Sequence, residues 1–308
     1  MNGRSISLLA SVISLVSGVF FPSSCHAEDD KRGLNGLPEK PFEQLSDKRL
    51  SSLATKALEI RPGEWKHAET QNFVYHFFKG SFATPVSIEA EYYYRVIATE
   101  LKRDTTQWEQ KGHIFIFDQP TDWDAFAQKA ALDPWTGGIH VGAELFIQRR
   151  PGADWSNRTL GHEVSHLVIH RFFGNGVPLW LNEGYAEYSS IRGFASYYRA
   201  RGYIAKPMSR SVSEASYIPV ATLTDAVSYP TENEKVAAYY NESERLVRFL
   251  CKTDKQAFLS FMDAMSKGNR FDTALSRAYG SRFFGVSALE QDFKSYAIKD
   301  AGSVLHDD

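Results

Sequence analysis

The sequence predicts an α+β fold, with a small sheet in the amino-terminal half and helices in the carboxy-terminal half. Residues 73–78 and 113–117 are runs of aromatic and β-branched side chains, which are typical of buried strands. Residues 138–141 and 144–148 are two shorter runs separated by two residues, which predicts a hairpin at the edge of the same sheet. From about residue 158 onward, apolar residues recur at helical spacing, so the strands are expected to precede most of the helices.

Further helices are predicted from the same apolar spacing. One lies near residues 50–58 and another at about 86–101, between the first two strands. The carboxy-terminal part carries four more, at 234–251, 255–265, 272–279 and 288–297. These four are expected to form a helical lobe.

The first residues have the pattern of an export signal. Residues 6–21 are apolar, and Cys25-His26-Ala27 offers small side chains at both positions that signal peptidase reads. We expect a signal peptide at 1–27, cleaved after about Ala27, and a secreted or periplasmic protein. A retained membrane anchor is one alternative, although the apolar run is shorter than the roughly 20 residues of a spanning helix. Lipid attachment at Cys25 is another, disfavoured by Pro22, so no stable membrane insertion is expected after cleavage.

The pentapeptide His162-Glu163-Val164-Ser165-His166 carries the strongest chemical signal in the chain. Asn157 suits the position before a first helical turn and Gly174 suits a helix end, which predicts a helix at about 158–173. On that helix His162 and His166 lie one turn apart on the same face, so both imidazoles can bind one zinc ion. Glu163 stands beside them as a candidate base.

A second helix is predicted to bring a third ligand to the same ion. Residues 174–178 reverse the chain, and Pro178 suits the start of a helix. Glu183 would then complete a site for one zinc ion with the fourth position open for water. Glu187 follows one turn later and can hold the far N–H of a zinc-bound histidine, the alternative being a solvated carboxylate. His170 lies about 11 Å along the first helix from His162, too far to share the ion.

These motifs carry a family resemblance. The His-Glu-x-x-His pentapeptide followed by Asn182-Glu183-Gly184-Tyr185-Ala186-Glu187 resembles the gluzincin zinc metallopeptidases, and among them the peptidase MA-like family. The resemblance implies a thermolysin-like catalytic domain in which His162, His166 and Glu183 bind zinc and Glu163 is the general base. Tyr240-Asn241-Glu242-Ser243 is similar to the family's helix that bears a tyrosine over the metal, so Tyr240 is implied as an oxyanion donor. The alternative for Tyr240 is a half-buried packing role.

One departure from the family pattern bears on substrate choice. Gluzincin aminopeptidases carry a Gly-x-Met-Glu-Asn segment whose glutamate holds the substrate's amino terminus. The corresponding stretch here, residues 142–147, reads Gly-Ala-Glu-Leu-Phe-Ile, which leaves Glu144 as a weak equivalent. Cleavage within peptides is therefore favoured over removal of terminal residues.

The expected organisation has three parts. The signal peptide is followed by a polar leader and helix at 28–70 and by a peptidase MA-like catalytic domain at 71–300. Within that domain we expect a β-rich part at 71–150, the zinc helices at 158–190 and the helical lobe at 234–300. Cys251 would be the one cysteine left after cleavage, so no disulfide framework is expected.

Composition restricts the partners. The net charge is -2, and no basic run interleaves with aromatic residues, so nucleic acid is not an expected partner. The sequence thus predicts an exported zinc metallopeptidase that hydrolyses peptide or protein substrates by Glu-assisted attack of zinc-bound water. Two alternatives stay open: a zinc hydrolase of a non-peptide bond, and a non-catalytic binding module that keeps the fold. Nothing in the sequence sets the oligomeric state.

Overall fold

The computed structural model describes residues 9–12, 36–106, 110–133, 136–149, 155–203 and 212–299. The chain divides into two compact units. The sheet unit comprises residues 1–91 and 108–156, and the helical unit comprises residues 92–107 and 157–308.

The described part of the sheet unit contains a mixed six-stranded sheet. Its strands are β1 (Leu9–Val12), β2 (Lys66–Glu69), β3 (Phe73–Phe77), β4 (Gly112–Phe117), β5 (Thr136–Val141) and β6 (Glu144–Gln148). The order across the sheet is β1-β5-β6-β4-β3-β2. β4 pairs in parallel with both β3 and β6, and the other pairs are antiparallel.

The predicted hairpin is formed by β5 and β6, and Gly142 takes a positive φ of 62° in its turn. β1 pairs with the outer side of β5, so β1 is the edge strand and the hairpin lies one strand in from the edge where it was predicted. β1 falls within the segment predicted to be a signal peptide, while the other residues of 1–27 lie outside the described ones. Cleavage after Ala27 therefore stays a prediction.

Helices cover the sheet and close its core. The described helices of the sheet unit are α1 (Ser52–Leu58) and α3 (Pro120–Ala130), together with the first part of α2 (Gly80–Glu100). Phe115, Phe117 and Phe146 of the sheet pack in one hydrophobic cluster with Trp123 and Phe126 of α3. Neither β2 nor α3 was predicted. β2 has charged residues at both ends, which hides its strand character.

A row of three histidines crosses β2, β3 and β4 on one face of the sheet. Nδ1 of His67 lies 2.8 Å from Nδ1 of His76, and Nε2 of His76 lies 2.9 Å from Nδ1 of His113. Nε2 of His113 is 3.9 Å from an oxygen of Asp47, which also accepts hydrogen bonds from Arg49. His76 and His113 are fully buried, and each of the two close nitrogen pairs supplies a hydrogen-bond partner inside the unit.

The helical unit contains the second part of α2 and seven further described helices. They are α4 (Trp155–Phe173), α5 (Leu179–Arg199), α6 (Val220–Asp225), α7 (Asn233–Thr253), α8 (Lys255–Ser266), α9 (Phe271–Tyr279) and α10 (Val286–Lys299). α4 begins at Trp155, so the prediction that Asn157 precedes the first helical residue is wrong. Gly174 ends α4 with a φ of 68°, as a left-handed terminating residue does. Cys251 is buried on α7. No helix in the described ranges is both long and apolar enough to cross a bilayer.

Candidate metal centre

Two helices of the helical unit bring three metal-binding side chains together. α4 carries His162 and His166 one turn apart, and α5 carries Glu183. One ligand atom from each lies within 4.8 Å of the others, and all three residues are buried. Oε2 of Glu183 is 3.3 Å from Nε2 of His162 and 3.5 Å from Nε2 of His166. The two histidine Nε2 atoms are 2.9 Å apart.

The far nitrogen of His166 has a partner on α5. Nδ1 of His166 lies 3.1 Å from Oδ1 of Asn182, so the imidazole donates its Nδ1–H to the amide oxygen. In that tautomer Nε2 carries the lone pair and faces Glu183 and His162. Asn182 therefore orients the ring so that its unprotonated nitrogen points at the site.

The far nitrogen of His162 lies against a carboxylate, and an arginine binds that carboxylate in turn. Oε1 of Glu187 is 3.2 Å from Nδ1 of His162, and Oε2 of Glu187 accepts a hydrogen bond from Arg158 at 3.0 Å. Arg158 precedes His162 by one turn on α4, and Glu187 follows Glu183 by one turn on α5. The two helices are thus joined by a polar row that ends on the histidine.

The charges in this cluster act on one another strongly because it is buried. Burial opposes a charge on His162, but its hydrogen bonds with Glu183 and Glu187 raise its pKa to about 10. Burial likewise opposes a charge on Glu183, while the neighbouring His166 and His162 lower its pKa to about 2. The imidazole of His162 and the carboxylate of Glu183 therefore each favour the charged form of the other.

Glu163 is fully buried and adjoins His162 on α4. Its negative charge is among the influences that raise the pKa of His162. The carboxylate thus lies close enough to act on groups at the site, although it is not one of the three clustered ligands.

Two stacked tyrosines adjoin the cluster. Tyr240 on α7 is buried, and its ring centroid is 6.4 Å from that of His162. The ring of Tyr229 lies parallel to it, with centroids 5.9 Å apart and an angle of 7° between the planes. Burial raises the pKa of Tyr229 well above its usual value, as do the charge of Glu183 and the contact with Tyr240. Tyr229 therefore stays protonated and can donate a hydrogen bond.

Close helix packing sets the spacing of these residues. The ring of Tyr93 on α2 lies against Gly161 of α4 and Gly193 of α5, and a Cβ atom at either glycine would lie within 2.7 Å of it. The hydroxyl oxygens of Ser165 and Ser189 are 2.6 Å apart between the same two helices. These contacts fix α4 and α5 against each other next to His162 and His166.

The donor set fits a divalent metal. Zinc binds histidine nitrogen and carboxylate oxygen at about 2.0–2.2 Å, which in a tetrahedral site separates neighbouring donors by roughly 3.3 Å. The measured separations of 3.3 and 3.5 Å agree with that value, and the 2.9 Å pair is somewhat shorter. Two histidines and one carboxylate are also the ligands of known catalytic zinc sites that keep a position open.

Two histidines and a glutamate on adjacent helices form a donor set of the kind that metal-dependent hydrolases use. A family model of the Peptidase MA superfamily matches residues 97–299, about two thirds of the chain. The chain belongs to the Peptidase MA superfamily. No curated protein matches it. Membership of this superfamily supports a peptidase-type enzyme and a metal-dependent site. The predictions of a peptidase and of a metal site are therefore confirmed at the level of the superfamily.

The structure places every predicted site residue in the helical unit. It brings His162, His166 and Glu183 together, with Glu187 against His162 and the ring of Tyr240 near it. Their catalytic and metal-binding roles stay predictions. Sequence reasoning missed three contributors: Asn182, Arg158 and Tyr229. For Asn182 a signal existed, since a metal-bound histidine needs a partner for its second nitrogen and Asn182 adjoins a predicted ligand.

Proposed function

We propose that this protein is an exported zinc-dependent metallopeptidase of the gluzincin type that cleaves within peptide chains. The observation that carries the proposal is the buried cluster of His162, His166 and Glu183 with Glu163 beside it. A module that used the metal for structure alone would need no base next to a site with three ligands. The membership of the Peptidase MA superfamily supports the same reaction type.

Each residue has a chemical task in this proposal. A bound zinc ion would polarise the scissile carbonyl and lower the pKa of a water molecule at the site. Glu163 accepts the proton of the attacking water and passes it to the leaving amine. Tyr240 donates its hydroxyl hydrogen to the oxygen that becomes negative. Glu187 and Asn182 hold the two imidazoles through their Nδ1 atoms.

Cleavage within chains is supported by the surroundings of Glu144. Its two oxygens accept hydrogen bonds from the backbone N–H and the hydroxyl group of Ser51, at 2.6 and 2.5 Å. Ser51 in turn caps the start of α1. This carboxylate is therefore buried and engaged in holding a helix, which argues against a part in binding the amino terminus of a substrate.

The test is a comparison of the zinc-loaded protein with its Glu163→Gln variant on a diverse peptide mixture, with new termini read by mass spectrometry. We expect internal cuts by the unmodified protein and a loss of roughly 100-fold or more in the variant. His170→Gln is a matched control, since His170 lies on the same helix and outside the clustered ligands. Removal of single terminal residues would contradict the endopeptidase assignment. No cleavage by the zinc-loaded protein would contradict peptidase activity and favour a non-peptide substrate.

A further inference from the structure

Tyr229 has a role that the family match does not assign. It lies in the loop between α6 and α7, where Val227 and Ser228 are exposed and Tyr229 itself is half-buried. Pro230 follows it and restricts its backbone to extended conformations, because the proline ring crowds the preceding residue. The loop therefore presents one aromatic side chain to the interior of the helical unit from a restrained backbone.

The hydroxyl group of Tyr229 donates a hydrogen bond to Oε1 of Glu183 at 2.5 Å. The other oxygen, Oε2, faces Nε2 of both histidines at 3.3 and 3.5 Å. The two oxygens of this carboxylate thus have separate partners. Neither can exchange places with the other unless the Tyr229 bond breaks.

We propose that Tyr229 is a positioning residue for the metal, and that its bond to Oε1 makes Glu183 bind a divalent cation through Oε2 alone. The inference rests on the proposed function in one respect, that the cluster binds such a cation. A carboxylate held at one oxygen occupies a single coordination position, which leaves another open. Partners of this kind typically change metal affinity by about 10- to 100-fold.

The same contact separates the tasks of the two tyrosines. A phenol has one hydrogen to donate, and that of Tyr229 goes to Glu183. Tyr229 therefore does not serve as the donor to the oxygen that becomes negative during hydrolysis. Its ring packs against Tyr240 and supports the orientation of that second tyrosine.

The experiment measures zinc affinity without reference to turnover. The full chain and its Tyr229→Phe variant are freed of metal and titrated with Zn²⁺ against a chromophoric chelator. We expect the Kd of the variant to be about 10- to 100-fold higher. Substitution with Co²⁺ gives a second readout, and the visible spectrum of the variant should differ because the carboxylate binds differently. An unchanged Kd together with an unchanged Co²⁺ spectrum would overturn the proposal.

Two further variants control for folding. Tyr279→Phe removes another buried hydroxyl group of the helical unit, one whose oxygen lies 2.9 Å from the carbonyl oxygen of Leu250 and 3.2 Å from that of Asp254. It should lower the Tm but leave the zinc Kd unchanged, and an equal loss of zinc affinity in both variants would overturn the proposal. Tyr229→His keeps a ring with an N–H donor and should recover part of the affinity. If Tyr229→Phe does not fold, Tyr229→His still tests the proposal. A zinc Kd for Tyr229→His as weak as that of Glu183→Gln would then contradict the proposal.

Zinc binding and peptide cleavage report separately on the positioning role of Tyr229 and on the peptidase activity. If the unmodified protein binds zinc, loses affinity in Tyr229→Phe and cleaves no peptide, the inference stands and the peptidase assignment falls. If Tyr229→Phe keeps the zinc Kd and the spectrum but loses cleavage, the peptidase assignment stands and the positioning role is wrong. If the unmodified protein binds no divalent cation, both are wrong.

Discussion

Gly184 of α5 lies directly against the backbone of Ser243 of α7, so that a Cβ atom on Gly184 would be 2.4 Å from the Ser243 carbonyl oxygen. Gly184 follows the candidate ligand Glu183, and Ser243 lies three residues after Tyr240. The helix that holds the carboxylate and the helix that holds the tyrosine therefore approach at backbone distance. This contact gives a physical reason for the glycine in the Asn-Glu-Gly motif.

Gly184→Ala is expected to push these helices apart. A methyl group that meets a backbone oxygen at that distance forces a backbone shift, which typically costs about 1–3 kcal/mol of stability. The shift also moves Glu183 and Tyr240, so zinc affinity and turnover should fall together. Calorimetry measures the Tm, and competition titration with Zn²⁺ measures the zinc Kd. Gly80→Ala is the control, since a Cβ at Gly80 meets no atom within 4 Å. Equal Tm and Kd for Gly184→Ala and the unmodified protein would contradict this account.

Glu187→Ala is expected to weaken metal binding without removing a ligand. The substitution leaves Nδ1 of His162 and the guanidinium of Arg158 without this carboxylate, so the imidazole is held less firmly. Loss of such a partner typically costs about 10- to 100-fold in metal affinity. Competition titration with Zn²⁺ measures this loss as a higher zinc Kd.

Glu244→Ala provides the matched control for Glu187→Ala. Glu244 is also a buried carboxylate paired with an arginine, Arg248, on α7. Its removal should lower stability while the zinc Kd stays the same. A loss of affinity in Glu244→Ala as large as in Glu187→Ala would show that general destabilisation, and not the contact with His162, sets the effect.

The histidine row of the sheet unit predicts a stability that falls in acid. Burial lowers the pKa of His67, His76 and His113, the last to about 4. The unfolded chain binds protons below about pH 6.5 that the folded chain does not, so stability is lost as the pH falls from about 6.5 toward 4. For His113 alone the loss at pH 4 is roughly 3 kcal/mol. Asp47, with a pKa of about 2, titrates below this window.

Urea denaturation of the metal-free protein between pH 4.5 and 7 checks this prediction. His113→Gln should be less stable at neutral pH, because His76 loses a hydrogen-bond partner, but it should show a shallower pH slope. Other titrating groups are common to both proteins and cancel in the comparison. Equal slopes would mean that His113 is not a source of the acid sensitivity.

Residues close in sequence made much of the candidate site predictable. His162 and His166 are related by one helical turn, and Glu183 follows after one reversal, so local periodicity suffices to bring them together. Tyr229 contacts Glu183 across 46 positions of sequence, from a loop without periodicity, and only the tertiary structure shows that contact. The histidine row likewise depends on strand register, because His67 and His76 are paired across β2 and β3. The polar strand β2 was itself missed, so its register was beyond prediction.

Tyr240→Phe is expected to impair turnover while leaving the metal in place. Tyr240 is buried beside His162, but it is not among the three clustered ligands, so the zinc Kd should stay within about twofold. Removal of a donor to a developing negative charge typically lowers kcat by about 10²–10³-fold, and KM should change little because the interaction forms in the transition state. Steady-state kinetics on a peptide identified as a substrate measures both constants. Tyr239→Phe is the control, since Tyr239 is the adjacent buried tyrosine on α7 and should retain most of the turnover. If Tyr239→Phe lost turnover and Tyr240→Phe kept it, the neighbouring tyrosine would be the donor and the family-based assignment of Tyr240 would be wrong.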